Sequence, residues 1–195
     1  MSSAFVIVSI LQSPKELESG NSALLPVMFF IHGGAFYMGT YFGMGPKVLL
    51  EHDVVMVQIQ YRLGPLGYMC LDHPDAAGNM GMLDQVLALD WVRDHIKAFG
   101  GDPDQITIFG ESAGSASASY HMLSPLSQNK FQRLIGESGS ALAGWAFDKE
   151  PVKHAKEIAG RVGCPTDNDE DLIRCMKSKD VGEIVDTHTS YVVST

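Results

Sequence analysis

Ser112 stands between two glycines in GESAG (110–114), at the spacing G-x-S-x-G. A serine becomes an accessible nucleophile when a sharp turn lifts its hydroxyl clear of a sheet, and that turn crowds the residues two before and two after it. Gly110 and Gly114 relieve this crowding. The apolar run QITIFG (105–110) precedes the serine and the small-residue stretch SAGSASASYHMLS follows it, so Ser112 is expected between a strand and a helix. A helix starting at Ala113 points its free N–H groups at whatever binds Ser112, which suits a developing oxyanion. HGGAF (32–36) offers matching chemistry at the end of another apolar run. Gly33 and Gly34 allow close approach of the backbone, and their N–H groups with that of Ala113 would make a three-donor hole. The chemistry implied is acyl transfer through Ser112.

The elements that must position these residues alternate between strand and helix. PVMFFI (26–31), VVMVQIQY (54–61), QITIFG (105–110) and RLIGESGS (133–140) are apolar runs of strand length. Between the second and third, apolar positions from Gly81 to Phe99 recur mainly at spacings of three and four, predicting an amphipathic helix stopped by Gly100-Gly101. Three polar helical stretches are expected at roughly 149–162, 168–177 and 180–186. Strands with fully apolar centres, separated by helices, imply a mostly parallel central sheet with helices on both faces. Residues 1–195 read as a single α/β unit without repeats or linkers. It looks incomplete at both ends, with strand edges left to cover and the first strand at residue 26.

Composition narrows the function classes. The net charge is −9 and the 14 basic residues are scattered, which argues against nucleic acid and anionic membranes as partners. No apolar run approaches the roughly 20 residues of a membrane helix. The opening MSSAFVIVSILQ has an apolar patch but no basic start, so it does not read as a signal peptide. No G-x-G-x-x-G follows the early strands, which disfavours dinucleotide binding. Three cysteines leave at least one unpaired within the chain. Spacing alone leaves a Cys164–Cys175 bridge and two free thiols equally open.

HGGAF, YRLGPLGY, the long stretch GNMGMLDQVLALDWVRDHIKAFGGDPDQITIFGESAGS and HMLSP together resemble the type-B carboxylesterase and cholinesterase-like family of α/β hydrolases. The resemblance covers about residues 13–190. It implies a partial α/β-hydrolase fold and a carboxylic ester hydrolase that needs no metal or organic cofactor. It also implies Ser112 as nucleophile, with Gly33, Gly34 and Ala113 as oxyanion donors. By the same resemblance Glu111 tunes the site, Trp145 lines the acyl side of the pocket, and Ser138 lies behind the catalytic groups. It favours a Cys164–Cys175 disulfide and a secretory route, leaves Cys70 as a buried free thiol, and gives no oligomeric state.

A serine nucleophile needs a base, and the base needs an acid to orient it. In this fold they follow the serine in the order acid, then histidine. His32, His52, His73 and His95 precede Ser112, His121 sits on the helix after it, and His154 and His188 fall in the polar helical region. None is expected to serve as the base, and His188 reads as a solvated surface residue. The chain therefore reads as an internal piece of an esterase whose acid and histidine lie elsewhere. The alternative is a binding or adhesion protein on the same fold, or a truncated decoy.

Overall fold

The computed structural model describes residues 7–12, 23–43 and 45–192, excluding the side chains from 188 onward. The strands are β1 (Ile7–Gln12), β2 (Leu25–Ile31), β3 (Val55–Gln60), β4 (Cys70–His73), β5 (Ala76–Ala77), β6 (Gly101–Glu111) and β7 (Arg133–Glu137). The helices are α1 (Gly64–Tyr68), α2 (Met80–His95), α3 (Ala113–Leu123), α4 (Pro151–Arg161), α5 (Asp169–Ser178) and α6 (Val181–Val192). They fall into two compact units, Met1–Tyr61 with Met82–Phe147, and Arg62–Gly81 with Asp148–Thr195.

The first unit is built on a five-stranded sheet in the order β1-β3-β2-β6-β7. The pairs β3–β2, β2–β6 and β6–β7 are parallel, while β1 runs antiparallel to β3. Val27, Phe29, Ile31, Val55, Val57, Ile59, Ile106 and Ile108 are buried on one face of the central strands and Phe30, Met56 and Phe109 on the other. Gln58 and Thr107 are buried polar exceptions, so both faces are covered. Full burial of a side chain such as Phe29 or Ile108 contributes about 1.5–3 kcal/mol. On α2 the buried face carries Asp84, Gln85, Ala88, Leu89 and Val92, whereas Leu83, Leu87 and Trp91 face outward. The expected amphipathic helix is present, but its apolar residues occupy more than the core face.

The strands differ from the sequence expectation in several places, among them β4 and β5, which lie outside the expected runs, and β6, which begins at Gly101 rather than at residue 105. β1 precedes the first expected strand and pairs with β3 from Ile7 opposite Gln60 to Gln12 opposite Val55. Its residues are half-buried or exposed. It coincides with the apolar patch of MSSAFVIVSILQ, weighed in the sequence only against a signal peptide. The strand expected over 133–140 stops at Glu137 because Ser138 turns away with φ of 56°. β7 is mostly exposed, and the covering of the sheet does not extend to it.

The second unit packs the β4–β5 hairpin with helices. Leu71, Ala155, Ala159, Val162, Leu172, Ile173, Met176 and Ile184 form its core. Of the three helices expected to be polar, α4 and α5 bury apolar stripes, Ala155 with Ala159 and Leu172 with Ile173 and Met176, and α6 contributes Ile184. Asn168 caps α5 by accepting the Asp171 N–H at 3.0 Å, and Asp169, Glu170 and Asp171 place negative charge in the first turn. A disulfide joins Cys164 to Cys175, with the Cα atoms 5.7 Å apart. Cys70 is free and half-buried rather than fully buried, its thiol 3.5 Å from the Ala77 carbonyl oxygen.

Candidate active site

The parallel register brings the ends of β2 and β6 together, with Ile31 opposite Gly110. HGGAF and GESAG therefore leave adjacent strands at the same end. Ser112 follows β6 directly and is the N-cap residue of α3, with φ of 56° and ψ of −118°. This is a sparsely populated conformation for a non-glycine residue, costing about 1–3 kcal/mol. The Ser112 hydroxyl makes no capping bond, leaving the first N–H groups of α3 uncapped by a side chain.

The glycines make the turn possible by close approach. A Cβ on Gly110 would lie 2.5 Å from the Ile31 carbonyl oxygen and 2.6 Å from the Gly114 carbonyl carbon. One on Gly114 would overlap the same Ile31 carbonyl. A Cβ on Gly33 would sit 2.5 Å from the Glu111 carbonyl oxygen and 3.2 Å from Ser112 Cβ. The two motifs are thus packed backbone to backbone, with Ser112 and Ala113 at the junction.

His32 anchors the first motif. Its ring is buried and stacks on Tyr61 with centroids 4.4 Å apart, and the Tyr61 hydroxyl donates to the His32 carbonyl at 2.7 Å. Burial pushes the His32 pKa down, partly offset by the hydrogen bond to Gly33. A carbonyl can only accept, so Nδ1 carries the proton donated to Gly33 O at 2.7 Å. In the neutral ring Nε2 is then a buried acceptor without a partner among the described residues. Ala35 and Phe36 continue the turn with φ of 52° and 65°.

The segment after β7 closes another side. The Ser112 N–H donates to Glu137 O at 2.8 Å, and Ser115 Oγ donates to Gly139 O at 2.6 Å. Ser138, between these contacts, is exposed. Its backbone neighbours, rather than its hydroxyl, make the described bonds to the serine turn. Trp145 is 51% exposed and tilts against Phe36 with ring centroids 6.4 Å apart. Glu111 is exposed beside the serine.

The histidines with described bonds, His32, His73, His95, His121 and His154, have partners other than Ser112. His95 bonds to Trp91 O, His73 accepts from Asp75 N–H, and His154 pairs with Asp148. His121 lies buried, with Nδ1 2.8 Å from Ser127 Oγ and Nε2 2.8 Å from Gln85 Oε1. The side chain of His188 lies outside the described residues. The structure thus brings Gly33 against Glu111 and Ser112, with Gly34 closest to Met38, and pairs Phe36 of the HGGAF turn with Trp145. Sequence reasoning missed Tyr61, Ser115 and Tyr120, which hold the surrounding backbone. All three stand in stretches already singled out, Tyr61 in YRLGPLGY, Ser115 in GESAGS and Tyr120 in SAGSASASYHMLS, but their backbone partners are distant in sequence and leave no local signal.

A mostly parallel sheet with a strained serine between strand and helix, packed against a diglycine turn on the adjacent strand, defines an α/β-hydrolase fold. The carboxylesterase family model matches residues 6–195, and the chain belongs to that family. It is 44% identical over 181 residues to a carboxylic ester hydrolase of Bombus ignitus, covering 89% of this chain and 33% of that protein. It is 45% identical over 165 residues to bile salt-activated lipase of Mus musculus, covering 80% of this chain and 28% of the lipase. Cholinesterase 2 of Branchiostoma lanceolatum is 45% identical over 157 residues, with 77% of this chain and 47% of that protein covered. The chain spans less than half the length of each of these relatives.

Proposed function

We propose that the protein carrying this chain hydrolyses small carboxylic esters through an acyl-enzyme on Ser112. The observation that carries the reading is the packing of Gly33 against Ser112 at the strained strand–helix turn. Ser112 Oγ attacks the ester carbonyl, its proton passing to a base, and the carbonyl oxygen becomes an oxyanion. The N–H groups of Gly33, Gly34 and Ala113 stabilise that oxyanion; losing one such donor typically costs about 3 kcal/mol. The alcohol then leaves with a proton, and water releases the acid from Ser112. Glu111 tunes the electrostatics beside the nucleophile. Trp145 forms the acyl-side wall, and Ser138 supports the catalytic groups from behind.

Among the described residues, the histidines with described bonds are engaged away from Ser112. The base and its acid belong to other parts of the protein in this reading, with residues 1–195 as part of one catalytic domain. No helix of the described residues is long and apolar enough to cross a membrane. The test compares the longest native protein carrying this chain with its Ser112→Ala variant on 4-nitrophenyl acetate. A Ser112-dependent rate and covalent labelling of Ser112 by a fluorophosphonate support the reading. A native protein that neither turns over ester nor labels at Ser112 would instead favour a binding protein on this fold.

A further inference from the structure

The loop after β7 has little core of its own. Its backbone turns locally, with Ala143 N–H bonded to Ser140 O at 3.0 Å and Ala146 N–H to Ala143 O at 2.9 Å. Leu142, Trp145 and Phe147 all project from it exposed. Its course is fixed from α3. Ser115 holds Gly139 at one end. At the other, the Tyr120 hydroxyl lies 3.1 Å from Ala146 O and 3.4 Å from Ala141 O, its single proton shared between two turns of the loop. Tyr120 follows Ser112 on the same helix, so this tether links the backbone beside Trp145 to the helix that presents the nucleophile.

We propose that Tyr120 is a positioning residue that holds Trp145 against Phe36 and thereby sets acyl-group selectivity. The selectivity half rests on the ester-hydrolase reading of Ser112. Both acceptors of the tether are backbone carbonyls, so the side chains of the loop are free to face an acyl group while its path stays fixed. Phe36 stands on the HGGAF turn that carries the proposed oxyanion donors. A tilted aromatic pair at 6.4 Å joins these two segments, and in this proposal it is the apolar wall that an acyl group on Ser112 meets. A short acyl group gains from a wall held close, because orientation contributes to rate only when the fit is tight. A longer one tolerates, or needs, a wall that gives. Loss of one net hydrogen bond of about 1 kcal/mol shifts the held-to-released ratio of the loop about fivefold.

Residues 1–195 contain Trp91 and Trp145, so the native protein is studied in a Trp91→Phe background. Each variant is paired with its Trp145→Phe form, so that the difference reads Trp145 whatever tryptophans lie elsewhere. In that background Tyr120→Phe should lower the steady-state anisotropy of Trp145 and weaken its near-ultraviolet dichroism, with far-ultraviolet dichroism unchanged. Phe36→Leu should do the same, and the double variant should fall short of the sum, since both act on one contact. Unchanged anisotropy in Tyr120→Phe, or strictly additive effects, would overturn the positioning role. In the native protein, Tyr120→Phe should lower kcat/KM for 4-nitrophenyl acetate relative to the hexanoate, by up to about fivefold where the released loop is the commoner form. Equal losses on both esters would overturn the selectivity role. Absence of any Ser112-dependent hydrolysis would sink the ester reading and the selectivity half with it, while the fluorescence arm still decides the tether.

Discussion

Gly33 and Ser112 are packed so closely that a methyl group on the glycine would lie 3.2 Å from Ser112 Cβ. The same methyl would stand 2.5 Å from the Glu111 carbonyl oxygen, a separation that real Cβ atoms do not show. Backbone cannot swing aside as a flexible side chain can, so one of the two motifs must move. Gly33→Ala should therefore displace the proposed oxyanion donors relative to the serine. A misplacement of about 1 Å can cost about 100-fold in rate. The expected outcome is a loss of that order in kcat for ester hydrolysis and slower fluorophosphonate labelling of Ser112. Wild-type rates in Gly33→Ala would show that the donors do not act where they are assigned.

Gly114→Ala tests the other half of the same junction. Its Cβ would overlap the Ile31 carbonyl, at the end of a fully buried strand segment. Overpacking typically costs about 1–3 kcal/mol, and a backbone obstacle belongs at the upper end. Urea unfolding of wild type and variant should show a lower midpoint for Gly114→Ala. A midpoint within error of wild type would mean the turn has slack that the structure does not show.

GESAG, HGGAF and the central strands were legible because each writes its requirement into neighbouring residues. A strained serine turn needs glycines two places away, and a strand covered on both faces needs an unbroken apolar run. β1 was legible only as the apolar patch of MSSAFVIVSILQ; its partner β3 and its antiparallel register have no local signal. The roles of Tyr120 and Phe36 left no local trace either. Tyr120 reads as one more residue of a small-residue helix, and its partners Ala141 and Ala146 accept through carbonyls that any residue supplies. The outward face of α2 misled in the opposite sense: Leu83, Leu87 and Trp91 fit a helical period yet stay exposed, while Asp84 and Gln85 are buried. Periodicity locates a helix but does not say which of two apolar faces meets the core.

The Cys164–Cys175 bridge closes a loop of sequence separation 11 and ties the segment after α4 to α5 at the core of the second unit. Closing a loop of this size contributes about 3 kcal/mol in the chain-entropy model. Alkylation of the denatured, unreduced protein should modify Cys70 among the three cysteines and leave the other two unreacted. Replacing Cys164 and Cys175 together by alanine should lower the thermal midpoint measurably. Three alkylatable thiols in protein recovered from an oxidising compartment would contradict the bridge.

His121 gives the stability a defined pH dependence. Burial lowers its pKa to about 4 from the ordinary 6.5, with the positive charge of Lys130 acting in the same direction. Gln85 Nε2 donates to Ser117 Oγ at 3.2 Å, so Gln85 Oε1 is left to accept from His121 Nε2–H. Nδ1 is then the acceptor for the Ser127 hydroxyl, and the neutral ring satisfies every group around it. The unfolded chain takes up a proton on this histidine near pH 6.5, whereas the folded one resists until about pH 4. Between those values the unfolded state binds more protons, so stability rises with pH and is lost as pH falls. The full effect of such a shift is roughly 3 kcal/mol, complete once the pH is below both values. His121→Gln removes the titration while keeping a side chain that can donate and accept. It should be less stable than wild type at pH 7, and the gap should narrow steadily as the pH is lowered from about 7 toward 4. The measurement is urea unfolding of both proteins at half-unit pH steps across that window. Parallel pH profiles for the two would mean that His121 is not the group whose neutral form the fold requires.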